Sequence, residues 1–148
     1  MFFVLISMMC MIMEDCKIQL LLSIMSKLPS QSLLYVGDYI NNAFNDGCIL
    51  DIKRYLSDIG VYKNQYDYCF KLSSDCILYL EQKLIKDDSL IDYFCHYAIL
   101  HDNRILLKVY DGHIFSIDKS LNISCDLLDE CENGGLTIYE EEFNVNVI

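Results

Sequence analysis

Tryptophan is absent from the 148 residues, proline occurs once and glycine six times. So few chain breakers leave no room for a flexible linker or a low-complexity segment. No glycine-rich phosphate loop and no nucleophile elbow occurs, so nucleotide chemistry and Ser-His-Asp hydrolysis are not expected. Basic residues are scarce: eleven Lys and Arg stand against twenty-two Asp and Glu, giving a formal charge of −11 and a pI near 4.4. A surface of that sign repels a phosphate backbone and has no counterions to release from it, so nucleic acid is not an expected partner and a basic protein is.

What is present is apolar. Hydrophobic residues make up 53% of the chain, and a chain of this length buries about two-thirds of its unfolded surface without covalent staples. The eight cysteines contain no Cys-x-x-Cys pair and mostly lie in apolar runs such as Cys76-Ile77-Leu78; buried free thiols are expected rather than a disulfide framework. The first thirteen residues, MFFVLISMMCMIM, form an apolar run long enough for a signal-peptide core and too short to span a bilayer. No Lys or Arg precedes it, no small-x-small cleavage site follows, and Glu14-Asp15 come straight after. Residues 1–13 therefore read as an apolar extension or weak signal-like segment, ahead of a single domain over 14–148. A cytoplasmic location is expected, with secretion or anchoring through residues 1–13 as the alternative.

Along the chain, Ile18, Leu21, Leu22 and Met25 make one helical stripe that Pro29 stops, predicting a helix over 14–28. Ser30 followed by Leu33, Val36, Ile40 and Phe44 predicts a second helix over 31–45, and Ile49, Ile52, Leu56 and Ile59 a third from Cys48 to Gly60. Tyr66, Tyr68, Phe70 and Leu72 alternate with polar residues at a strand's period of two. Ser73-Ser74-Asp75 can cap a helix to Lys86. Over 92–118, two apolar runs flank His101-Asp102-Asn103-Arg104, and Asp111-Gly112 leads into a third, the signature of an antiparallel meander. A short acidic helix over 123–132, the Gly134-Gly135 break and one or two strands, over 136–139 and over 143–148, close the chain. The expected class is α+β: N-terminal helices packed on one face of an antiparallel sheet containing the meander at about 92–118.

All three histidines lie in the meander. Cys48 at a helix start would gain thiolate character from the macrodipole, and a hairpin turning at 101–104 can bring Asp111 beside His96. This order, Cys on a helix, His on a strand and Asp on the next, resembles the transglutaminase-like and papain-like family over residues 47–112. The resemblance implies Cys48 as nucleophile, His96 as base and Asp111 as orienting group in a thiol hydrolase or acyltransferase. It departs from that family in lacking tryptophan and in offering Asn42 where a glutamine would stabilise the oxyanion. Cys95 and His96 point to opposite faces of a strand, so no metal site is expected, and no cofactor is implied.

The stretch from His96 to Tyr139, with its hairpin, acidic helix, glycine break and strand, is similar to small acidic bacterial immunity-type proteins. That resemblance implies a non-catalytic module that neutralises a basic toxin or effector by docking an acidic face onto it. The residues expected to contact such a partner are Asp102, Tyr110, Asp111, Asp126, Asp129, Glu130, Glu132, Tyr139, Glu140, Glu141 and Glu142, since tyrosines beside carboxylates supply anchors within a polar rim. This is the leading expectation, and the Cys48–His96–Asp111 reading is the alternative.

Overall fold

The computed structural model describes residues 2–37, 49–50, 66 and 68–143, with the backbone alone for 2–12, 49–50 and 68. Helix α1 runs from Phe2 to Lys27 without a break at Glu14. Its second half buries Cys16, Ile18, Leu20, Leu21, Ile24 and Met25. Three strands follow, β1 (Ser32–Val36), β2 (Ile49–Leu50) and β3 (Tyr68–Leu72), then α2 (Ser74–Lys86) and a 3-10 helix over Asp88–Tyr93. The meander is β4 (Tyr97–His101), β5 (Arg104–Tyr110) and β6 (Ile114–Asp118); a short 3-10 turn, α3 (Cys125–Asn133) and β7 (Thr137–Glu141) complete the order.

The class is α+β. Among the described residues the strands form one sheet of order β2-β3-β1-β4-β5-β6-β7. Every neighbouring pair is antiparallel except β6 and β7, which are parallel because α3 carries the chain back between them. The described α-helices α1, α2 and α3 all contribute to the main core on one face. Tyr35, Tyr66, Cys69, Ala98, Leu100 and Ile105 make a second apolar cluster on the other.

The meander forms where its turn residues demand. Asp102 and Asn103 have φ of 48° and 62°, and Asp111 and Gly112 have 53° and 71°. Asp102-Asn103 is a two-residue hairpin turn, and Asp111-Gly112 opens the three-residue connection from Tyr110 to Ile114; Asp, Asn and Gly tolerate the left-handed φ that both need. Ser73 caps α2 by accepting from the Cys76 N–H at 3.2 Å, and the helix buries Cys76, Leu80 and Leu84 on one side. Helix α3 ends in a Schellman motif: Leu136 N–H donates to Cys131 O at 3.0 Å and Gly135 N–H to Glu132 O at 3.1 Å, with Gly135 at φ 106°.

Four expectations are corrected. Residues 32–36 are a strand, not part of a helix over 31–45, and Gln31 at φ 68° turns the chain into it. SLLYV lies between β3 and β4, with Leu34 and Val36 in the main core and Tyr35 in the second cluster. A central strand apolar on both faces has no period of two to distinguish it from a buried helix. Ile49 and Leu50 are also strand, paired with Phe70 and Cys69, and not part of a helix over 48–60; the remainder of both expected helices, Cys48 included, lies outside the described residues. The helices are interleaved with the strands, since α2 and α3 follow β3 and β6. Finally, the first meander strand begins at Tyr97 rather than Asp92, because Asp87 caps the preceding 3-10 helix by accepting from Ser89 N–H at 3.2 Å and Ile91 and Phe94 turn into the core.

Candidate functional site

The strand directions sort the candidate residues. β5 runs from the Asp102 turn at one end of the sheet to the Asp111 turn at the other, roughly 20 Å away at strand rise. Asp102 and Asp111 therefore do not share a patch. Asp102 lies 3.2 Å from Nε2 of His101. Asp111 sits at the far corner, where His96 Nε2 is 3.6 Å from its Oδ1 and its own N–H points to His96 Nδ1 at 3.5 Å. His113 Nδ1 is 2.8 Å from the Asp111 carbonyl, to which it donates.

The expected hairpin thus places Asp111 beside His96. The contact differs from a catalytic relay in one respect: both ring nitrogens of His96 face the same residue. In a relay the second ring nitrogen faces the nucleophile instead. Side chains of both residues are largely solvent-exposed, and Cys48 lies outside the described residues. Among the described residues no group of three or more His, Cys, Asp or Glu side chains is placed to hold a metal ion.

The acids of the last crossover behave differently. Residues 120–148 contain seven carboxylates, Asp126, Asp129, Glu130, Glu132, Glu140, Glu141 and Glu142, and no Lys, Arg or His. Helix α3 and strand β7 touch each other at one margin of the sheet, and all seven of these residues are exposed. Strand alternation puts Glu140 on the same side as half-buried Ile138, the side that α3 covers, and Tyr139 and Glu141 on the opposite face.

On that opposite face the register forms two rows: Tyr110, Ile114 and Thr137, then Lys108, Ser116 and Tyr139. Tyr110 and Tyr139 are brought onto one surface, 39% and 53% exposed, and Lys108 Nζ lies 4.9 Å from the Tyr110 ring centre. The sheet therefore supplies an aromatic surface directly beside the acidic margin.

One ionic cluster was not anticipated from the sequence. Asp118, 1% exposed, accepts from Arg104 Nη2 at 3.1 and 2.9 Å, from Ser120 N–H at 3.2 Å and its hydroxyl, and from Phe143 N–H at 3.2 Å. Burial pushes its pKa up, but the bonds from Ser120, Phe143 and Arg104 outweigh burial and hold it below the usual carboxylate value. The usable signal was the pair of tight turns, which lays the start of β5 at the same end as the last residue of β6.

Opposite effects act on Glu14, whose pKa is raised by burial and by the neighbouring carboxylates Asp92 and Asp88. Cys16 and Cys131 meet between α1 and α3, where Cys131 Sγ–H donates to Cys16 O at 3.6 Å; burial raises both thiols, Cys131 to about 12. Such thiols are poor nucleophiles.

Among the described residues no helix is long and apolar enough to cross a membrane. Compared with family models, with curated proteins and with solved structures, the chain finds no match in any of the three.

Proposed function

We propose that this chain is a non-catalytic protein-binding module that recognises a basic partner through the α3–β7 margin, in the manner of a protein that neutralises a basic toxin or effector. The observation that carries the reading is the segregation of charge: seven exposed carboxylates and no basic side chain over residues 120–148, gathered on α3, β7 and the residue after it. Such a margin attracts a basic surface at long range and repels wrong partners, which accelerates encounter and confers specificity. Tyr139, exposed beside Glu141 on the face away from α3, supplies an aromatic anchor at the edge of this margin. Asp102 lies at a turn apart from this margin and has no part in the reading.

The test is surface plasmon resonance against a panel of small basic proteins that includes secreted nucleases and cationic membrane-active toxins. One member is expected to bind with an association rate that falls steeply as salt rises, and replacing Glu140, Glu141 and Glu142 with lysine should abolish that binding. Binding indifferent to both salt and charge reversal overturns the reading, as does a panel with no binder.

A further inference from the structure

We propose that the outer edge of β7 receives an extended basic segment of the partner protein as an eighth strand. This rests on the acidic-margin reading above and adds the geometry of recognition. Among the described residues β7 is the last strand of the sheet and pairs with β6 alone. Thr137 N–H donates to His113 O at 2.9 Å, toward β6. In a parallel ladder that fixes the alternation: Thr137, Tyr139 and Glu141 address β6, while Ile138 and Glu140 turn their N–H and C=O groups outward. An edge of this kind is a ready template for another strand.

Proteins guard such edges with proline, lysine, bulges or very short strands. β7 has none of these; its five residues carry Glu140 and Glu141, with Glu142 directly after. The guard and the recognition element are then the same residues. A second copy pairing edge to edge would bring two sets of carboxylates onto one seam, and like charges close across strands are destabilising. A strand with Lys or Arg at alternate positions meets the opposite situation. Its basic side chains on the outer face lie beside Glu141 and over the exposed ring of Tyr139, where a cation is attracted to the aromatic face. The committed occupant is therefore a basic, alternating, extended segment.

The experiment uses the full chain and a synthetic ten-residue peptide alternating lysine and valine, followed by fluorescence anisotropy. Glu140→Pro removes an outward N–H from an edge position that tolerates proline, whereas Glu140→Gln removes only the charge. The expected result is salt-dependent binding that drops by about tenfold or more in E140P and by only about threefold in E140Q, since a lost ladder bond and its distorted neighbours outweigh one screened charge. Hydrogen exchange at Ile138 and Glu140 should slow when the peptide is bound. Should E140P unfold, the wild-type chain with a peptide N-methylated at alternate residues gives the same answer, because that peptide keeps its charge and cannot form the ladder. Equal binding of methylated and unmethylated peptide, or of E140P and E140Q, overturns strand addition and leaves the acidic-margin reading standing. No binding of the unmethylated peptide overturns strand addition as well, and only failure of the basic-protein panel removes the acidic margin itself.

Discussion

Replacing Asp118 with asparagine tests the largest electrostatic commitment of the fold. The carboxylate is buried and accepts from Arg104, Ser120 and Phe143, so it joins the start of β5, the end of β6 and the residue two positions beyond β7. Asparagine keeps the shape, but its amide group turns donors toward donors on one side, and the charge is lost. Removing one partner of a fully buried pair costs about 3–5 kcal/mol, yet the Arg104 side chain is 49% exposed and can be rehydrated, so the lower end, about 3 kcal/mol, is expected. For a chain of this size that is a fall in melting temperature of roughly 6–12 °C at neutral pH. The sign with pH follows from the lowered pKa of the folded state. Its contribution is complete above the unfolded value of about 3.9 and is lost as pH falls through the folded one. Thermal melts of wild type and D118N by circular dichroism from pH 7 down to pH 2 should therefore converge at the acid end. A gap under about 1 °C at neutral pH, or one that stays constant to pH 2, refutes the reasoning.

Three other perturbations follow from single observations. Gly135→Ala forces φ of 106° on a residue with a Cβ, and that Cβ would stand 2.6 Å from Met13 Cε; because the methionine can move, the backbone dominates, with a loss of about 1–2 kcal/mol, or roughly 2–8 °C, by thermal melt. Glu14→Gln should stabilise by up to about 1 kcal/mol near pH 7: the raised pKa of Glu14 marks a charge disfavoured in the fold, a penalty present above the folded pKa and relieved as pH falls through it, so chemical denaturation at pH 7 and pH 3 should show the gain only at the former. Iodoacetamide mapping by mass spectrometry should modify exposed Cys125 first, then Cys95, with buried Cys16, Cys69, Cys76 and Cys131 last; a Cys48 that outpaces Cys125 by orders of magnitude would favour the thiol-enzyme alternative over the binding module.

The parts of the fold that were legible in the sequence are those where a local rule has one solution. Asp102-Asn103 and Asp111-Gly112 can adopt the positive φ that a tight hairpin connection needs, and the meander followed from them. Ser73 before the stripe Cys76, Leu80 and Leu84 defined α2, and Gly134-Gly135 defined the end of α3. β1 was misread because its neighbours, not its own pattern, decide its state: five apolar-rich residues between β3 and β4 are buried on both faces, and the same letters satisfy a helical stripe. The candidate site divides the same way. The acids were visible as composition, and the closeness of Asp111 to His96 as hairpin geometry. The adjacency of α3 and β7 was not, because it depends on a parallel crossover whose partner strand no local signal names.

That crossover also determines how the margin can work. β7 contributes little to the core, since Ile138 is only half-buried and its other residues are exposed, so carboxylates there sacrifice little stability. Its two ends are nonetheless held. The Schellman motif at Gly135 and the Thr137 bond to His113 fix its start, and the Phe143 N–H bound to Asp118 fixes the chain just beyond its finish. A strand clamped at both ends and open along its outer edge loses little conformational freedom when another strand adds to it, and binding then keeps a larger share of the ladder and charge interactions as affinity. The buried Asp118 cluster and the exposed glutamates are in this sense one device. The first holds the template straight, and the second selects what may lie against it.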